Sequence, residues 1–153
     1  MTDADPDIVH ATAVAVGGHA LLIVGKSGSG KSSLALEMMV RGAELVADDR
    51  VVLSASGGKL YAKAPETLRG LIEARGLGVL KTDFVETAEI IAVLDLNETE
   101  TERIPPARQT TISGISLAML HNVASQHFPA ALIQYLMSIG RTQRDAPWNT
   151  DNA

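Results

Sequence analysis

A glycine-rich segment between an apolar run and a helical pattern constrains this chain more than any other feature. Residues 25–32 read Gly-Lys-Ser-Gly-Ser-Gly-Lys-Ser, the spacing of a phosphate-binding P-loop. Residues 20–24 before it are typical of a buried strand, and residues 33–41 after it are typical of a helix. In such a unit, backbone N–H groups converge on one anion at the positive end of the helix. An ordinary Gly/Ser turn is the alternative, and the correct flanks on both sides argue against it.

The loop residues are therefore the candidates for binding the phosphates of a nucleotide. Lys31 can reach the outer phosphates, and the Ser32 hydroxyl can ligate a Mg²⁺ ion that bridges them. The full set of candidate phosphate-binding residues is Gly25, Lys26, Ser27, Gly28, Ser29, Gly30, Lys31, Ser32 and Ser33.

Composition limits the class of protein. The chain has 153 residues, of which 46% are hydrophobic and only 3% aromatic, so we expect one domain with an aliphatic core. The net charge of −5 argues against a nucleic-acid partner, and the absence of cysteine excludes disulfides and zinc–thiolate sites. No apolar run approaches the ~20 residues of a membrane span, and no signal peptide is recognisable. A cytoplasmic protein without a membrane partner is the expectation.

The patterns predict an α/β fold with a central mixed sheet flanked by helices. One catalytic domain is expected over residues 8–140, between a flexible N-terminus (1–7) and a frayed tail (141–153). The predicted strands are residues 9–16, 20–24, 44–47, 51–53, 59–63 and 89–96, and the predicted helices are residues 33–41 and 129–139. The other segments are a loop that runs into a strand (72–80), a polar mobile connection (97–108) and a stretch that fits either strand or helix (110–120).

Two adjacent aspartates, Asp48 and Asp49, follow the predicted strand 44–47. At that end of a strand, a carboxylate can hold Mg²⁺ through water or take a proton from an attacking hydroxyl. Neighbouring side chains on a strand point in opposite directions, so the two can divide those tasks. A solvated turn is the alternative, because Asp-Asp is common in loops. The position one helix after the P-loop favours function.

Other polar residues are weaker candidates. Glu73 and Arg75 would share one face of an extended segment, and the spacing fits an exposed ion pair as well as a functional pair. His10 lies in an apolar predicted strand, where a structural role is more common. Arg103 and Arg108 lie in the polar connection, from which an arginine could neutralise charge on a transferring phosphoryl group, although most loop arginines do not.

In this order, the segments resemble the HPr kinase/phosphorylase family from His10 to about Leu80. The resemblance depends on the histidine strand and on residues 25–32, 34–37, 41–42, 45–49 (Leu-Val-Ala-Asp-Asp) and 73–78 (Glu-Ala-Arg-Gly-Leu-Gly). It implies an ATP-dependent kinase that phosphorylates a serine of HPr, the histidine-containing phosphocarrier of the phosphotransferase system. It also implies a P-loop kinase core similar to the nucleotide-binding core of phosphoenolpyruvate carboxykinase. Bifunctional members remove the phosphate by phosphorolysis.

The resemblance also implies roles for single residues. Asp49 would accept the proton of the substrate serine and donate it in reverse, and His10 would be a further active-site residue. Ser32 and Glu73 would ligate Mg²⁺, with Asp48 beside the base and near the metal. The remaining implied roles are phosphate binding by Lys31 and a catalytic role for Arg103, whose Glu-Arg-Ile-Pro context loosely resembles the family's Asp-Arg-Leu-Gly.

The chain departs from the family pattern in two ways. It resembles a short form without the extra N-terminal domain of long members. Because long members form hexamers, the resemblance raises the question of whether this chain forms a homo-oligomer. The family's Pro-Val-x-x-Gly-Arg segment has no clear counterpart around residues 115–124, so the kinase direction is predicted ahead of phosphorolysis. The alternatives are a small-molecule P-loop kinase and a non-catalytic, nucleotide-gated binding module.

Overall fold

The structure is a computed structural model that describes residues 7–139. The strands are β1 Asp7–Val9, β2 Thr12–Val16, β3 His19–Val24, β4 Glu44–Ala47, β5 Val51–Ser56, β6 Lys59–Lys63, β7 Leu71–Ala74, β8 Gly78–Lys81, β9 Ala88–Thr99, β10 Gln109–Ile112 and β11 Ile115–Asn122. The α-helices are α1 Lys31–Met39 and α2 Phe128–Ile139, and a short 3-10 helix spans Glu66–Leu68. The fold is α/β, as predicted.

A mixed sheet of nine strands forms the centre of the described part of the chain. Its order is β1-β5-β6-β9-β3-β2-β4, and the β10–β11 hairpin joins it through β11 and β9. The β3–β9 and β9–β11 pairs are parallel, while the remaining pairs of this sheet are antiparallel. The carboxyl ends of β3, β9 and β11 therefore lie at one edge, together with the start of β2, whose Thr12 pairs with Ile23.

Alternating residues of the sheet build two apolar clusters. Leu21 and Ile23 belong to the first cluster, where Met38 of α1 and Leu132 of α2 pack against them. Leu22 belongs to the second cluster, which is built from strand and loop residues only. Each fully buried aliphatic side chain contributes about 1.5–3 kcal/mol. Within residues 7–139, both helices therefore cover the same side of the mixed sheet.

The strands themselves explain the second cluster. Leu53 of β5, Leu60 of β6 and Leu117 of β11 are buried in it, and Ile112 and Ile115 of the β10–β11 hairpin pack at its border. The antiparallel hairpins thus supply the apolar cover that a second helical layer would give in a fully parallel sheet.

The N-terminal region differs from the prediction. The single strand expected over residues 9–16 is divided in two, and His10 lies at a bend between the parts rather than inside a strand. The reason is a change of neighbours, because β1 pairs with β5 while β2 pairs with β3 and β4. Asp7, expected in a flexible segment, begins β1.

Further boundaries also differ. Residues 72–80, expected as a loop and a strand, belong to the β7–β8 hairpin, and the undecided stretch 110–120 belongs to the β10–β11 hairpin. Strand β9 continues to Thr99, into the predicted connection, and α1 begins at Lys31 instead of residue 33. The predicted tail, residues 141–153, lies outside the described residues. Neither of the helices in the described part of the chain is long and apolar enough to cross a membrane.

Candidate active site

A cleft of about 310 Å³ opens at the sheet edge where the glycine-rich loop follows β3. The loop and the first turn of α1 form one side. His10 comes from the bend after β1 and Thr12 from the start of β2. Asp49 follows β4, and Glu73 and Arg75 come from β7 and the turn after it. The structure therefore brings most of the sequence-predicted site residues into one place.

The first turn of α1 leaves its backbone donors free for a ligand. Gly30 is the N-cap residue with a φ of 101°, and no side chain within residues 7–139 caps the helix. The first turn contains no acidic residue. Because the first N–H groups of a helix lack partners within the helix, this end attracts an anion. The geometry has the form that binds phosphate.

Lys31 adds a buried cation to this end of the cleft. Its side chain is only 7% exposed, and its Nζ donates to the carbonyl oxygens of Gly25 at 2.9 Å and Lys26 at 3.1 Å. Among residues 7–139, no carboxylate forms an ion pair with it. A buried cation held only by carbonyl groups is incompletely compensated, so an anion entering the cleft is favoured.

The interior of the loop also fits a ligand. The Ser29 hydroxyl is buried and has no hydrogen-bond partner in the described region. At Gly25, an added Cβ would lie 2.6 Å from Ser29 Oγ and 3.2 Å from Leu96 Cβ, so only glycine fits there. Outside the loop, the Asn97 side chain accepts a hydrogen bond from the N–H of Lys26 at 3.1 Å. Asn97 thus anchors the loop to the end of β9.

Asp48 connects three elements beneath the cleft. Its side chain is buried at 5% exposure, and its Oδ1 accepts from the Thr12 hydroxyl at 2.8 Å and from the Ser32 hydroxyl at 2.7 Å. Its Oδ2 accepts from the backbone N–H of Glu73 at 2.9 Å. One carboxylate therefore joins the strand β2, the helix α1 and the hairpin strand β7.

Asp49 points in a different direction from Asp48. Its side chain is 61% exposed, and its Oδ1 lies 3.1 Å from Nε2 of His10. Its φ of 71° is in the left-handed region, which is uncommon for a residue other than glycine and costs of order 1–3 kcal/mol. The two neighbouring carboxylates are thus divided between the interior and the cleft.

The arginines are placed differently from each other. Arg75 lines the cleft together with Glu73, as the spacing predicted for a shared face. Arg103 is exposed in the connection after β9 and is not among the residues that line the cleft. Its catalytic role therefore stays a prediction.

The other arginine of that connection has a structural partner. Arg108 forms a two-point ion pair with Glu100, whose carboxylate also accepts from the N–H groups of Thr101 and Glu102. The pKa of Glu100 is lowered, first by the N–H of Glu102 and then by Arg108, against the opposing effect of burial. Both ends of the connection are held together by these contacts.

The chemistry of the cleft suits a Mg²⁺–nucleotide more than a metal ion alone. Among residues 7–139, no group of three or more His, Cys, Asp or Glu side chains is arranged to hold a metal. Ser32 and Glu73 line the cleft, so a cation bound there would need phosphate oxygens and water to complete its coordination. The buried donors of the loop fit those same phosphates.

Two site residues were not predicted from the sequence. Thr12 and Asn97 both act through partners distant in sequence, Asp48 just after β4 and Lys26 in the loop. Asn97 had a usable signal, because it follows an apolar strand whose carboxyl end is an expected place for polar site residues. Thr12 had none beyond its position two residues after His10.

Together, the fold and the cleft define an α/β domain in which a glycine-rich strand–loop–helix unit faces an acidic pair. A family model described as HPr Serine kinase C-terminal domain matches residues 3–99, more than half of the chain. The chain belongs to this family.

Similar proteins carry related names. The HPr kinase/phosphorylase of Mycoplasmopsis pulmonis is 50% identical over 72 residues, which are 47% of this chain and 23% of that protein. The HPr kinase/phosphorylase of Clostridium tetani is 42% identical over 88 residues, which are 58% of this chain and 28% of that protein. That of Bordetella pertussis is 48% identical over 83 residues, covering 52% and 27%. The chain thus spans about a quarter of the length of these relatives.

A solved structure supports the fold over a longer part of the chain. The HPr(Ser) kinase/phosphatase from Coxiella burnetii aligns with a TM-score of 0.73 and 23% sequence identity. The alignment covers 92% of this chain and 99% of that one. The shared α/β fold therefore extends beyond the segment that the family model matches.

Proposed function

We propose that this chain is an ATP-dependent serine kinase that phosphorylates the phosphocarrier HPr. The observation that carries the proposal is one cleft with two unlike charged groups. Lys31 is a buried cation that pairs with no carboxylate of residues 7–139, and Asp49 is an exposed carboxylate paired with His10. The Lys31 ammonium can bind the phosphates of a nucleotide, and the Asp49 carboxylate can accept the proton of an attacking hydroxyl. The family and the names of its relatives support HPr as the substrate.

The phosphate side of the cleft performs binding and positioning. The backbone N–H groups at the start of α1 and the Lys31 ammonium hold the phosphates, while Ser29 offers a further hydroxyl. Ser32 and Glu73 would hold Mg²⁺, with Asp48 behind Ser32. ATP with Mg²⁺ supplies the phosphoryl group and neutralises part of its charge.

The acidic side performs proton transfer. The serine oxygen forms a bond to the γ-phosphorus while the bond from that phosphorus to the ADP oxygen breaks, and the hydroxyl proton passes to Asp49. His10, 3.1 Å from Asp49, orients this carboxylate. Arg75 lines the same cleft and contributes positive charge beside the transferred group. The exposed position of Asp49 suits a serine presented on the surface of a docked protein.

Three finer proposals accompany the kinase. The glycine-rich loop, the following helix and the acidic pair support a P-loop core like the nucleotide-binding core of phosphoenolpyruvate carboxykinase. Because ATP and HPr are the proposed substrates, the reaction is proposed to take place in the cytoplasm. The reverse direction, removal of the phosphate by phosphorolysis, is a separate activity for this chain and needs its own assay with phosphorylated HPr and inorganic phosphate.

A panel of acceptors distinguishes the protein kinase from the small-molecule kinase. ADP release is measured with ATP and Mg²⁺ in the presence of HPr, of HPr with its target serine replaced by alanine, or of a set of metabolites. We expect stimulation by HPr alone. Stimulation by a metabolite and not by HPr would transfer the proposal to the small-molecule class, and nucleotide binding without turnover would favour a binding module.

A further inference from the structure

A fully buried hydroxyl contacts Asp48 at the lining of the cleft. Thr12 begins β2, has 0% exposure and donates from Oγ1 to Oδ1 of Asp48 at 2.8 Å. Its backbone position is set by β3, where it pairs with Ile23, and its neighbour Ala13 pairs with Ala47, the residue before Asp48. The sheet therefore holds this hydroxyl beside the carboxylate.

The same carboxylate oxygen accepts a hydrogen bond from a second hydroxyl group. Ser32 donates from Oγ to Oδ1 of Asp48 at 2.7 Å. Because its hydroxyl proton is directed to Asp48, the lone pairs of Ser32 Oγ remain available to a cation. The direction of the Ser32 hydroxyl thus depends on where Asp48 Oδ1 lies, and Thr12 helps to determine that position.

We propose that Thr12 is a positioning residue for Mg²⁺ coordination, acting through Asp48 on Ser32. This inference rests on the proposed function, since it requires a Mg²⁺–ATP complex in the cleft. Groups that hold a metal ligand from behind affect metal affinity although they do not touch the metal, and their loss typically weakens binding 10–100-fold. Thr12 occupies such a position, because its hydroxyl contacts the Asp48 carboxylate, which orients the proposed Mg²⁺ ligand Ser32.

A threonine that only fills the core would behave differently. Valine has nearly the same shape as threonine but no hydroxyl, so Thr12→Val preserves the packing and removes the donor. Serine keeps the donor and loses one methyl group, so Thr12→Ser is the rescue variant. Thr110→Val, at a half-buried position of β10, is the same substitution away from the cleft. Thr12→Ala removes the hydroxyl by a second route, for use if the valine variant does not fold.

The test is calorimetric ATP binding by the full chain, with a Mg²⁺ titration and in EDTA, alongside thermal unfolding. For Thr12→Val and Thr12→Ala we expect the Mg²⁺ concentration that gives half of the Mg²⁺-dependent gain in ATP affinity to rise about tenfold. The ATP affinity in EDTA should not change. Thr12→Ser and Thr110→Val should match the wild type in the Mg²⁺ titration. Activity is not needed for this readout.

The outcomes separate this inference from the proposed function. If the wild type binds Mg²⁺–ATP and both hydroxyl-free variants keep the wild-type Mg²⁺ dependence, the positioning role is overturned and the proposed kinase is not. Equal losses with Mg²⁺ and in EDTA would assign Thr12 to packing instead and also overturn it. If the wild type itself binds no nucleotide, both proposals fail.

Discussion

Nε2 of His10 lies 3.1 Å from Oδ1 of Asp49 at the mouth of the cleft. The two residues come from distant segments, the bend after β1 and the position after β4, and their side chains are 53% and 61% exposed. A pair so exposed to solvent adds only ~0–1 kcal/mol to stability. Because Asp49 also has a left-handed backbone, this contact is better explained by function than by folding.

We expect His10→Ala to slow phosphoryl transfer about tenfold while leaving the melting temperature nearly unchanged, because the pair is coupled but exposed. The double variant with Asp49→Asn should be little slower than Asp49→Asn alone, since both act in one step. The kcat/KM for HPr phosphorylation is compared among the wild type, the two single variants and the double variant, and the comparison gives the energetic coupling between His10 and Asp49. Effects that multiply would show that the two residues act independently.

The glycine-rich loop gives a second prediction. Gly25→Ala places a Cβ within 2.6 Å of Ser29 Oγ, so we expect a loss of about 1–3 kcal/mol in unfolding free energy. Nucleotide affinity should also fall at least about tenfold, because the loop must deform. Denaturant unfolding and calorimetric ATP binding measure the two effects.

A glycine in an ordinary turn is the control for this variant. Gly57 lies in the β5–β6 turn with a φ of 60° and nothing within 4 Å of an added Cβ. Gly57→Ala should lose about 1–2 kcal/mol of stability through its backbone conformation alone and keep wild-type ATP affinity. Unchanged ATP affinity in Gly25→Ala would contradict the proposed use of the loop.

A third prediction compares two arginines. Arg75 lines the cleft, whereas Arg103 is exposed in the connection after β9. We expect Arg75→Ala to lower kcat for transfer about 100-fold, as loss of one charge-stabilising donor does, and Arg103→Ala to lower it less, because Arg103 does not line the cleft of the described structure. Steady-state kinetics with HPr make the comparison. The reverse order would mean that the connection moves to the cleft during the reaction.

The Glu100–Arg108 pair predicts a pH dependence. The pKa of Glu100 is lowered from its ordinary value of 4.5, so the folded state favours the charged carboxylate. Its stabilising effect is therefore complete above that value and is lost as the pH falls through the folded-state pKa. Glu100→Gln should melt below the wild type at about pH 7, and the difference should shrink as the pH falls below 4.5.

Limited proteolysis reports on the same pair locally. Arg103 lies in the exposed connection that Glu100 and Arg108 close, and trypsin should cut after it faster in Glu100→Gln than in the wild type. Glu37 of α1 forms an exposed ion pair with Arg41, just after the helix, and Glu37→Gln is the control. Equal cleavage rates at Arg103 in all three proteins would show that the ion pair does not restrain the connection.

Local patterns predicted the strand–loop–helix unit because each signal lies within a few residues. The apolar run of β3, the glycines after it and the helical pattern of α1 are all readable from spacing. The break at His10 was not readable, since it reflects which strands become neighbours. The β7–β8 hairpin was missed because its turn, with Gly76 at a φ of 86°, resembles an irregular loop in sequence.

The residues of the candidate site likewise include some that local patterns predicted and some that they did not. Lys31, Ser32 and Asp49 were predicted from motifs and do line one cleft. Thr12 was missed because its partner, Asp48, lies 36 residues away, and Asn97 because it contacts Lys26 across 71 residues. Contacts of this kind are created by strand pairing, so local patterns do not identify the partners, although the position of Asn97 after an apolar run was a usable signal for a site residue.

Transfer of radiolabelled phosphate to HPr, with the labelled residue mapped, tests the central claim most directly. With Mg²⁺, the wild-type chain should label one serine of HPr. Asp49→Asn should bind ATP normally but transfer about 10²–10⁴ times more slowly, because it lacks the proton acceptor. No label on HPr serine from a wild type that binds ATP, or full transfer by Asp49→Asn, would contradict the account.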